Sequence, residues 1–330
     1  MSMIKRLCCF AIPACAAVTA IPAQACTVGA TTTNLGSRSS YTIAASSLTG
    51  SGAAGLSCDV VLAALTTHYV GLNITASSFQ LTGPGNSSIS FSVSSTSGGV
   101  ALGVGTFYNL SSLSLVSLFS GVNSSIPLYF RTTPTAGLRA GLYKGSLNLR
   151  WYYSVCSLGV ALCLDYSNSP GFIRPGPFAS LNWGSGTAVT VNIELTVEND
   201  CIINAPSVDF GSAPIVSAFN PVTRTIQIRC SAGSAYSVGL NNGGNPDNGV
   251  RRMKSGNNFL RYEIYKSASS ADRWGDQGSA RRSSSQADAN AGTYDSLTSQ
   301  SFTYRAEIET SQTAVPVGTY EDTITIDVAF

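Results

Sequence analysis

The sequence has few charged residues and a single histidine, and it lacks the usual cofactor motifs. Only 11% of its 330 residues are charged and the net charge is +2, whereas an average domain is about 25% charged. The chain therefore lacks the strong positive field that would attract nucleic acid. With His68 alone and no glycine-rich loop followed by lysine, neither a hydrolytic triad nor a nucleotide site is supported. We expect no enzymatic activity, no cofactor and no nucleic-acid partner.

Long apolar runs are absent beyond the N-terminus. Residues 7–20 are apolar, follow Lys5 and Arg6, and lead to the sequence AQA at 23–25. This pattern is typical of a secretory signal peptide with its cleavage site, so we predict a signal peptide at 1–25. A lipoprotein signal is the alternative, because Cys26 follows directly. No later apolar run approaches the 18 or so residues of a membrane span, so none is expected in the mature protein.

Six cysteines remain after the predicted cleavage, and an even number in an exported chain predicts disulfides. Six cysteines allow fifteen pairings. Zinc binding is the alternative, but no CxxC motif is present and histidine is scarce, which disfavours it. The local order of the cysteines suggests the pairs Cys26–Cys58, Cys156–Cys163 and Cys201–Cys230.

Glycine, serine, threonine and short alternating apolar stretches are plentiful, which favours an all-β protein rich in turns. The sequence also repeats itself. CTVGATTTNLGS at 26–37 resembles CIINAPSVDFGS at 201–212, YVGLN at 69–73 resembles YSVGLN at 236–241, and GLYKGSLNLRWYY at 141–153 resembles GTYEDTITIDVAF at 318–330. Landmarks that recur in the same order predict two homologous immunoglobulin-like β-sandwich domains.

The two copies differ after their last shared strand. The first continues to TAVTVNIELTVE at 187–198, in which apolar residues alternate without interruption, and the second has no such segment. We therefore predict an N-terminal domain at 26–198, completed by its own strand 187–198, and a C-terminal domain at 199–330 that lacks one strand. Such a domain exposes a hydrophobic groove and unpaired backbone groups. An ordinary edge strand is the alternative. The residues predicted along the groove edge are Ile324, Ile326, Val328 and Phe330.

The C-terminal 130 residues resemble the spore coat protein U domain of pilins from archaic chaperone–usher pili. The resemblance rests on CIINAPSVDFG at 201–211, RRM at 251–253, LRYEIY at 260–265, YRAEI at 304–308 and VPVGTYEDTITIDVAF at 315–330. It implies incomplete immunoglobulin-like sandwiches, each completed by a donor strand. A periplasmic chaperone lends that strand first, an outer-membrane usher assembles the subunits, and the next pilin subunit then supplies it.

A two-domain chain of this length resembles the tip adhesin of such a pilus. The predicted mature chain starts at Cys26 and so has no donor segment ahead of its first cysteine. We therefore expect it to accept a strand without donating one, at the pilus tip on the cell surface after passage through the periplasm.

Apolar stretches without clear alternation are candidates for exposed surface-binding loops, and the resemblance implies hydrophobic finger loops. Such loops would attach cells to hydrophobic or host surfaces and support biofilm formation. The alternative is that each loop folds back onto its sandwich. The candidates are Leu158, Val160, Ala161 and Leu162 in the Cys156–Cys163 loop, Leu48, Ala53, Ala54 and Leu56 at 47–57, and Leu115, Leu118 and Phe119 at 112–122.

Two other functions are compatible with the sequence. One is a non-adhesive structural pilus subunit. The other is a secreted glycan-binding protein, because aromatic side chains can stack on sugars. The candidate aromatics are Tyr152, Tyr153, Tyr166, Phe172, Phe178 and Trp183.

Overall fold

The computed structural model describes residues 26–59, 66–159 and 162–330. The predicted signal peptide at 1–25, and Val160 and Ala161 of the predicted loop, lie outside these residues. The described part forms two β-sandwich domains that meet near residue 200. Within it, no helix is both long enough and apolar enough to cross a membrane.

The N-terminal domain contains eleven strands in its described part, together with short helices in the connections. The α-helices are α1 (Ser40–Ala45) and α2 (Leu115–Leu118), and 3-10 turns span Pro84–Asn86 and Val122–Ser124. The strands are β1 (Cys26–Val28), β2 (Thr31–Ser39), β3 (Thr49–Cys58), β4 (Tyr69–Ala76), β5 (Gln80–Thr82), β6 (Ser88–Ser94), β7 (Phe107–Asn109), β8 (Ser125–Thr132), β9 (Gly141–Gly159), β10 (Cys163–Asn168) and β11 (Thr187–Glu198).

The C-terminal domain has a five-stranded sheet facing a three-stranded one. Short 3-10 turns span Val216–Ala218, Gly278–Ala280 and Ser284–Gln286. The strands are β12 (Cys201–Asn204), β13 (Val222–Cys230), β14 (Ser237–Leu240), β15 (Arg251–Ser255), β16 (Asn258–Tyr265), β17 (Arg282–Ser283), β18 (Gln300–Ile308) and β19 (Ile326–Ala329). The strand orders are β12-β13-β18-β16-β15 in the larger sheet and β17-β14-β19 in the smaller one.

Strand β11 lies inside the sheet of the N-terminal domain. It pairs antiparallel with β9 from Thr187 to Val197 and parallel with β2. Its alternating apolar side chains are buried, with Val191, Ile193 and Leu195 fully inaccessible. The period-2 pattern of 187–198 thus produces a central strand with one face in the core.

Three disulfides join the six cysteines in the order that their spacing suggested. Cys26–Cys58 ties β1 to β3, and Cys201–Cys230 ties β12 to β13 in the same register. Cys156–Cys163 closes the turn between β9 and β10. The first two bonds hold the opening strand of each domain to its neighbour.

The segment 47–57 is not an exposed loop, and the prediction that Leu48, Ala53, Ala54 and Leu56 form a surface patch was wrong. Most of it is strand β3, in which Ala54 and Leu56 are fully buried, while Leu48 packs against the core. Its glycines allow a close approach of the facing sheet. A Cβ at Gly52 would lie 1.7 Å from Thr33 Oγ1, and one at Gly50 would lie 2.6 Å from Leu35.

The segment 112–122 contains the helix α2, and the prediction of an exposed loop was wrong for its main residues. Leu118 and Phe119 are buried, and Leu115 packs against the core. Residues three and four apart lie on one face of a helix, so these three side chains turn inward together. Ser114 caps the helix by accepting a hydrogen bond from Ser117 N. Val116, on the opposite face, is exposed.

Candidate functional site: an open groove and an apolar end surface

The closing strands of the two domains begin with the same tyrosine contact. The Tyr143 hydroxyl donates to the Arg139 carbonyl oxygen at 2.8 Å, and the Tyr320 hydroxyl donates to the Pro316 carbonyl oxygen at 2.8 Å. Such a bond to the backbone a few residues upstream is known from immunoglobulin-like sandwiches. The shared hydrogen bond shows that β9 corresponds to the C-terminal segment that ends in β19.

The opening segments of the two domains align equally well. Gly36 donates its N–H to Asn34 Oδ1, and Gly211 donates its N–H to Asp209 Oδ1, each at 2.7 Å. Both glycines have positive φ. Residues 205–210 therefore occupy the position that the first part of β2 occupies in the N-terminal domain.

What lies between these two segments differs between the domains. In the N-terminal domain β11 separates β2 from β9 and pairs with both. In the C-terminal domain, 205–210 form no strand, and β19 has only β14 as a strand partner among the residues that the structure describes. Residues 205–210 and the segment that leads into β19 line a cavity of about 580 Å³, which we call the groove.

The groove opens onto the apolar core of the C-terminal domain. Its walls come from 205–210 on one side and from the segment that leads into β19 on the other, with the five-stranded sheet as its floor. The apolar and aromatic side chains that line it are Ala205, Pro206, Val208, Phe210, Ile226, Leu240, Met253, Tyr262, Ile264, Tyr304, Ala306, Tyr320, Ile324 and Ile326.

The predicted groove-edge residues divide into two pairs. Ile324 and Ile326 line the groove and pack partly against the core. Val328 packs against the same core further along the strand, and Phe330 is exposed. Neither Val328 nor Phe330 lines the cavity itself.

The backbone of this edge has a defined polarity. Asn241 N donates to the Thr325 carbonyl oxygen at 3.1 Å, and Thr325 N donates to Asn241 Oδ1 at 2.9 Å. Because successive residues of a strand direct their N–H and C=O groups to opposite sides, the groups of Ile324, Ile326 and Val328 point away from β14. They point towards the side on which β11 lies in the N-terminal domain.

One polar pair lies in the wall of the groove. The Tyr262 hydroxyl donates to Asp322 Oδ2 at 2.7 Å, and Gly244 N donates to Asp322 Oδ1 at 2.8 Å. Burial, with a contribution from the Asp322 hydrogen bond, raises the pKa of the Tyr262 phenol well above its usual value. Tyr262 therefore stays a neutral donor, and Asp322 is already engaged within its own domain.

The second candidate site is the end of the N-terminal domain remote from the C-terminal domain. The hairpin of β9 and β10 projects there, and its exposed apolar residues are Leu158, Leu162 and Leu164. The exposed residues Val116 and Val122 lie in the connection that leads into β8, beside the Cys58 end of β3. We call these five residues, with Phe178, the end surface.

Phe178 is fully exposed in a narrow hairpin between β10 and β11. Backbone bridges pair Ile173 with Asn182 and Gly176 with Ala179, which places Phe178 in the turn. Arg174 ties this hairpin to the end of the sandwich. Its guanidinium donates to Ser154 Oγ at 2.7 Å and lies 3.8 Å from the centre of the Tyr166 ring.

Aromatic packing fixes the base of the same hairpin to the outer face of the sheet. Trp183 lies between Phe107 and Phe172, with ring centres 4.9 and 5.5 Å away, and Phe107 in turn packs on Tyr152 at 5.5 Å. Edge-to-face contacts of this kind stabilise the arrangement beyond simple burial.

These contacts bear on the glycan-binding alternative. Tyr153 is a core residue, Tyr166 is covered by Arg174, and Tyr152, Phe172 and Trp183 pack on other rings. Of the candidate aromatics, only Phe178 presents a free ring. The arrangement therefore does not favour an open aromatic platform for a sugar.

Sequence reasoning missed Leu164, Val116 and Val122, and it considered Phe178 only as a sugar-stacking residue. A signal for Phe178 existed, because the sequence RPGPF at 174–178 places an aromatic residue within a turn-forming context. In the described part of the chain, no group of three or more His, Cys, Asp or Glu side chains is placed to hold a metal ion.

Comparison with known proteins identifies the domain type. The family model of the Spore Coat Protein U domain matches residues 12–150 and 187–327. The chain is 33% identical to a chain of the crystal structure of the CsuC–CsuE chaperone–tip adhesion subunit pre-assembly complex from archaic chaperone–usher Csu pili of Acinetobacter baumannii. That match covers 93% of this chain and 100% of the other, with a TM-score of 0.72.

A second solved structure is more distant. The CupB6 tip adhesin from Pseudomonas aeruginosa is 13% identical over 86% of this chain and 84% of its own, with a TM-score of 0.30, which is too low to carry a structural argument. Curated protein sequences gave no match.

Proposed function

The chain belongs to the Spore Coat Protein U domain family, and from this premise we propose that it is the tip adhesin of an archaic chaperone–usher pilus. In this proposal the C-terminal domain, 199–330, is an incomplete sandwich that accepts a strand from another polypeptide. The N-terminal domain, 26–198, is complete and attaches the fibre to surfaces. The similar chain from the Csu pilus, a tip subunit in complex with its chaperone, supports this assignment.

The observation that carries the proposal is the groove at the position of β11. In the N-terminal domain, β11 pairs with β9 and β2 and buries five alternating apolar residues. The C-terminal domain has matching segments on both sides of that position and a cavity between them. An open apolar groove beside unpaired backbone groups is costly in water, and a donated strand satisfies both requirements.

The relation between the domains also supports a direction for the donated strand. β11 runs antiparallel to β9 and parallel to β2. A strand in the groove would therefore run antiparallel to β19 and parallel to 205–210. Each apolar side chain that it buries fully would contribute roughly 1.5–3 kcal/mol.

Assembly and adhesion then use opposite ends of the chain. A periplasmic chaperone would fill the groove first, the outer-membrane usher would exchange it for the next pilin subunit, and the fibre would carry this chain at the cell surface. The end surface, with Leu158, Leu162, Leu164 and Phe178, would face outward. Binding would remove apolar area from water, worth roughly 25 cal/mol per Å², and this would support attachment and biofilm formation.

A self-complementation experiment tests the groove. Because the incoming strand would run antiparallel to β19, a copy of 187–198 joined after Phe330 through a short turn can fold back as a hairpin partner of β19. We expect this full-length variant to unfold at a higher urea concentration and to resist proteolysis better than the parent chain. A variant whose appended strand has Asp in place of its inward-facing valines, isoleucine and leucine is the matched control. Equal urea midpoints for the parent and the complemented variant would contradict the proposal.

A further inference from the structure

The closing strands of the two domains carry opposite charges. In the N-terminal domain, residues 141–153 contain Lys144 and Arg150 and no acidic residue, whereas their partner 187–198 contains Glu194 and Glu198 and no basic residue. The corresponding C-terminal segment, 318–330, contains acidic residues and no basic one. These are Glu321, Asp322 and Asp327.

One cross-strand ion pair connects β9 with β11. Lys144 stands directly opposite Glu194 in the antiparallel register, and Lys144 Nζ lies 3.1 Å from Glu194 Oε1. On its other side, Lys144 is bridged to Thr82 of β5. Lys144 is thus flanked by a strand on each side, and its charge is matched on the β11 side.

Glu321 occupies the position of Lys144 in the C-terminal domain. Each follows the tyrosine that bonds to the carbonyl four residues upstream. Each also bridges to a neighbouring strand on the side away from the β11 position. For Glu321 that neighbour is Lys254, through backbone bonds of 2.9 and 3.1 Å. The other side of Glu321 faces the groove, which it helps to line.

The Glu321 carboxylate differs from its acidic neighbours. Asp322 accepts hydrogen bonds from Tyr262 and Gly244, and Asp327 pairs with Arg281 at 2.9 Å. Glu321 forms no ion pair within the described residues. The ammonium of Lys254, which bridges to Glu321 through its backbone, is instead directed over the Phe259 ring, 6.0 Å from the ring centre.

We infer that Glu321 selects the charge of the donor strand, so that the partner must place a lysine or arginine, and not an acidic residue, opposite it. This inference rests on the proposed function and specifies its partner. Opposite charges directly across an antiparallel pair stabilise it, and like charges destabilise it. A strand with the charges of β11 places a glutamate there and is disfavoured. A second copy of this chain is therefore a poor source of the donor strand.

A charge swap in the self-complemented variant tests the selection. Four full-length proteins combine Glu or Lys at the Glu194 position of the appended strand with native Glu321 or with Glu321→Lys. The readout is urea unfolding followed by hydrogen exchange in β14 and β18, two strands of the C-terminal domain. We expect the strand with Lys to be the more stabilising beside native Glu321, and the strand with Glu to be the more stabilising in the Glu321→Lys background. Each preference should reach about threefold or more in the unfolding equilibrium constant.

Two controls make the result specific. Lysine at the Glu198 position of the appended strand should give the same effect with either residue at 321, because Glu198 lies beyond the paired part of β9. High salt should reduce the preference for opposite charges at residue 321 and at the Glu194 position of the appended strand, because salt screens exposed charges. If all four combinations stabilise equally, the selection is overturned while the groove remains. If no appended strand stabilises the chain, the groove proposal fails, and the selection fails with it.

Discussion

The hydroxyl oxygens of Ser40 and Ser231 lie 2.6 Å apart, and both side chains are buried where the two domains meet. Ser231 Oγ also accepts a hydrogen bond from Asp200 N at 2.8 Å. Nearby, the Tyr41 hydroxyl donates to the Arg229 carbonyl oxygen, and Ala232 N donates to the Leu138 carbonyl oxygen. The connection between the domains is therefore a packed and hydrogen-bonded interface.

Replacement of Ser231 by alanine should destabilise this interface. It leaves the buried Ser40 hydroxyl and the half-buried Asp200 N–H without their partner, at a cost of about 1–3 kcal/mol. Ser40→Ala should cost less, because Ser231 keeps its contacts with Asp200. Urea unfolding of the two single variants and the double variant gives their coupling energy. Additive effects would show that the two hydroxyls do not interact.

The domain duplication could be predicted from the sequence because the residues that recur in both copies are ones that the backbone conformation requires. Gly36 and Gly211 both have positive φ, where other residues are strained. Tyr143 and Tyr320 both tie the start of a strand to the preceding turn. The alternation in 187–198 likewise predicted a strand with one buried face, and β11 has one.

The surface loops could not be predicted in the same way, because burial depends on which element packs above each residue. Gly50 and Gly52 looked like loop residues, but they accommodate side chains from β2. Leu118 and Phe119 turn inward because a single helical turn forms within an all-β fold. No short-range pattern in the sequence indicates either arrangement.

Adhesion should depend on the β9–β10 hairpin. We expect Leu158→Ser, Leu162→Ser and Leu164→Ser together to reduce retention of piliated cells on a hydrophobic surface by about tenfold or more, which corresponds to a loss of about 1.4 kcal/mol or more. All three side chains are exposed, so folding and pilus assembly should be unchanged. Retention is counted after washing, with pilus number measured separately.

Leu142→Ser provides the matched control for this experiment. Leu142 is 43% exposed and Leu158 is 58% exposed, and both belong to β9. They lie sixteen residues apart, which is roughly 50 Å along an extended strand. If Leu142→Ser reduces retention as strongly as the triple change, adhesion does not reside in the end surface.

The Cys156–Cys163 disulfide should hold this hairpin in shape. Loss of a bond that closes so short a loop costs about 2–3 kcal/mol in the chain-entropy model. We expect Cys156→Ser with Cys163→Ser to increase amide exchange in β10 and to lower retention, while the midpoint of the C-terminal domain stays unchanged. Hydrogen exchange read by mass spectrometry separates the two regions. Unchanged exchange in β10 would show that the Arg174 and Tyr166 contacts suffice to fix the hairpin.

The amides of the closing strand should report the state of the groove. Thr325 is bonded to Asn241, and the alternation of the strand directs the N–H groups of Ile324, Ile326 and Val328 to the other side. In the parent chain these three amides should exchange faster than those of Thr325 and Asp327, because no strand lies beside them among the described residues.

With the appended strand in place, the three amides should slow by at least about tenfold, because each gains a backbone partner. The amides of Thr325 and Asp327 should change less, because theirs already point towards β14. Residue-resolved exchange by NMR provides this comparison. If all five amides slowed equally, the strand would be acting through general stabilisation. Slowing confined to Ile324, Ile326 and Val328 requires a partner paired at that edge, in the position that β11 occupies beside β9.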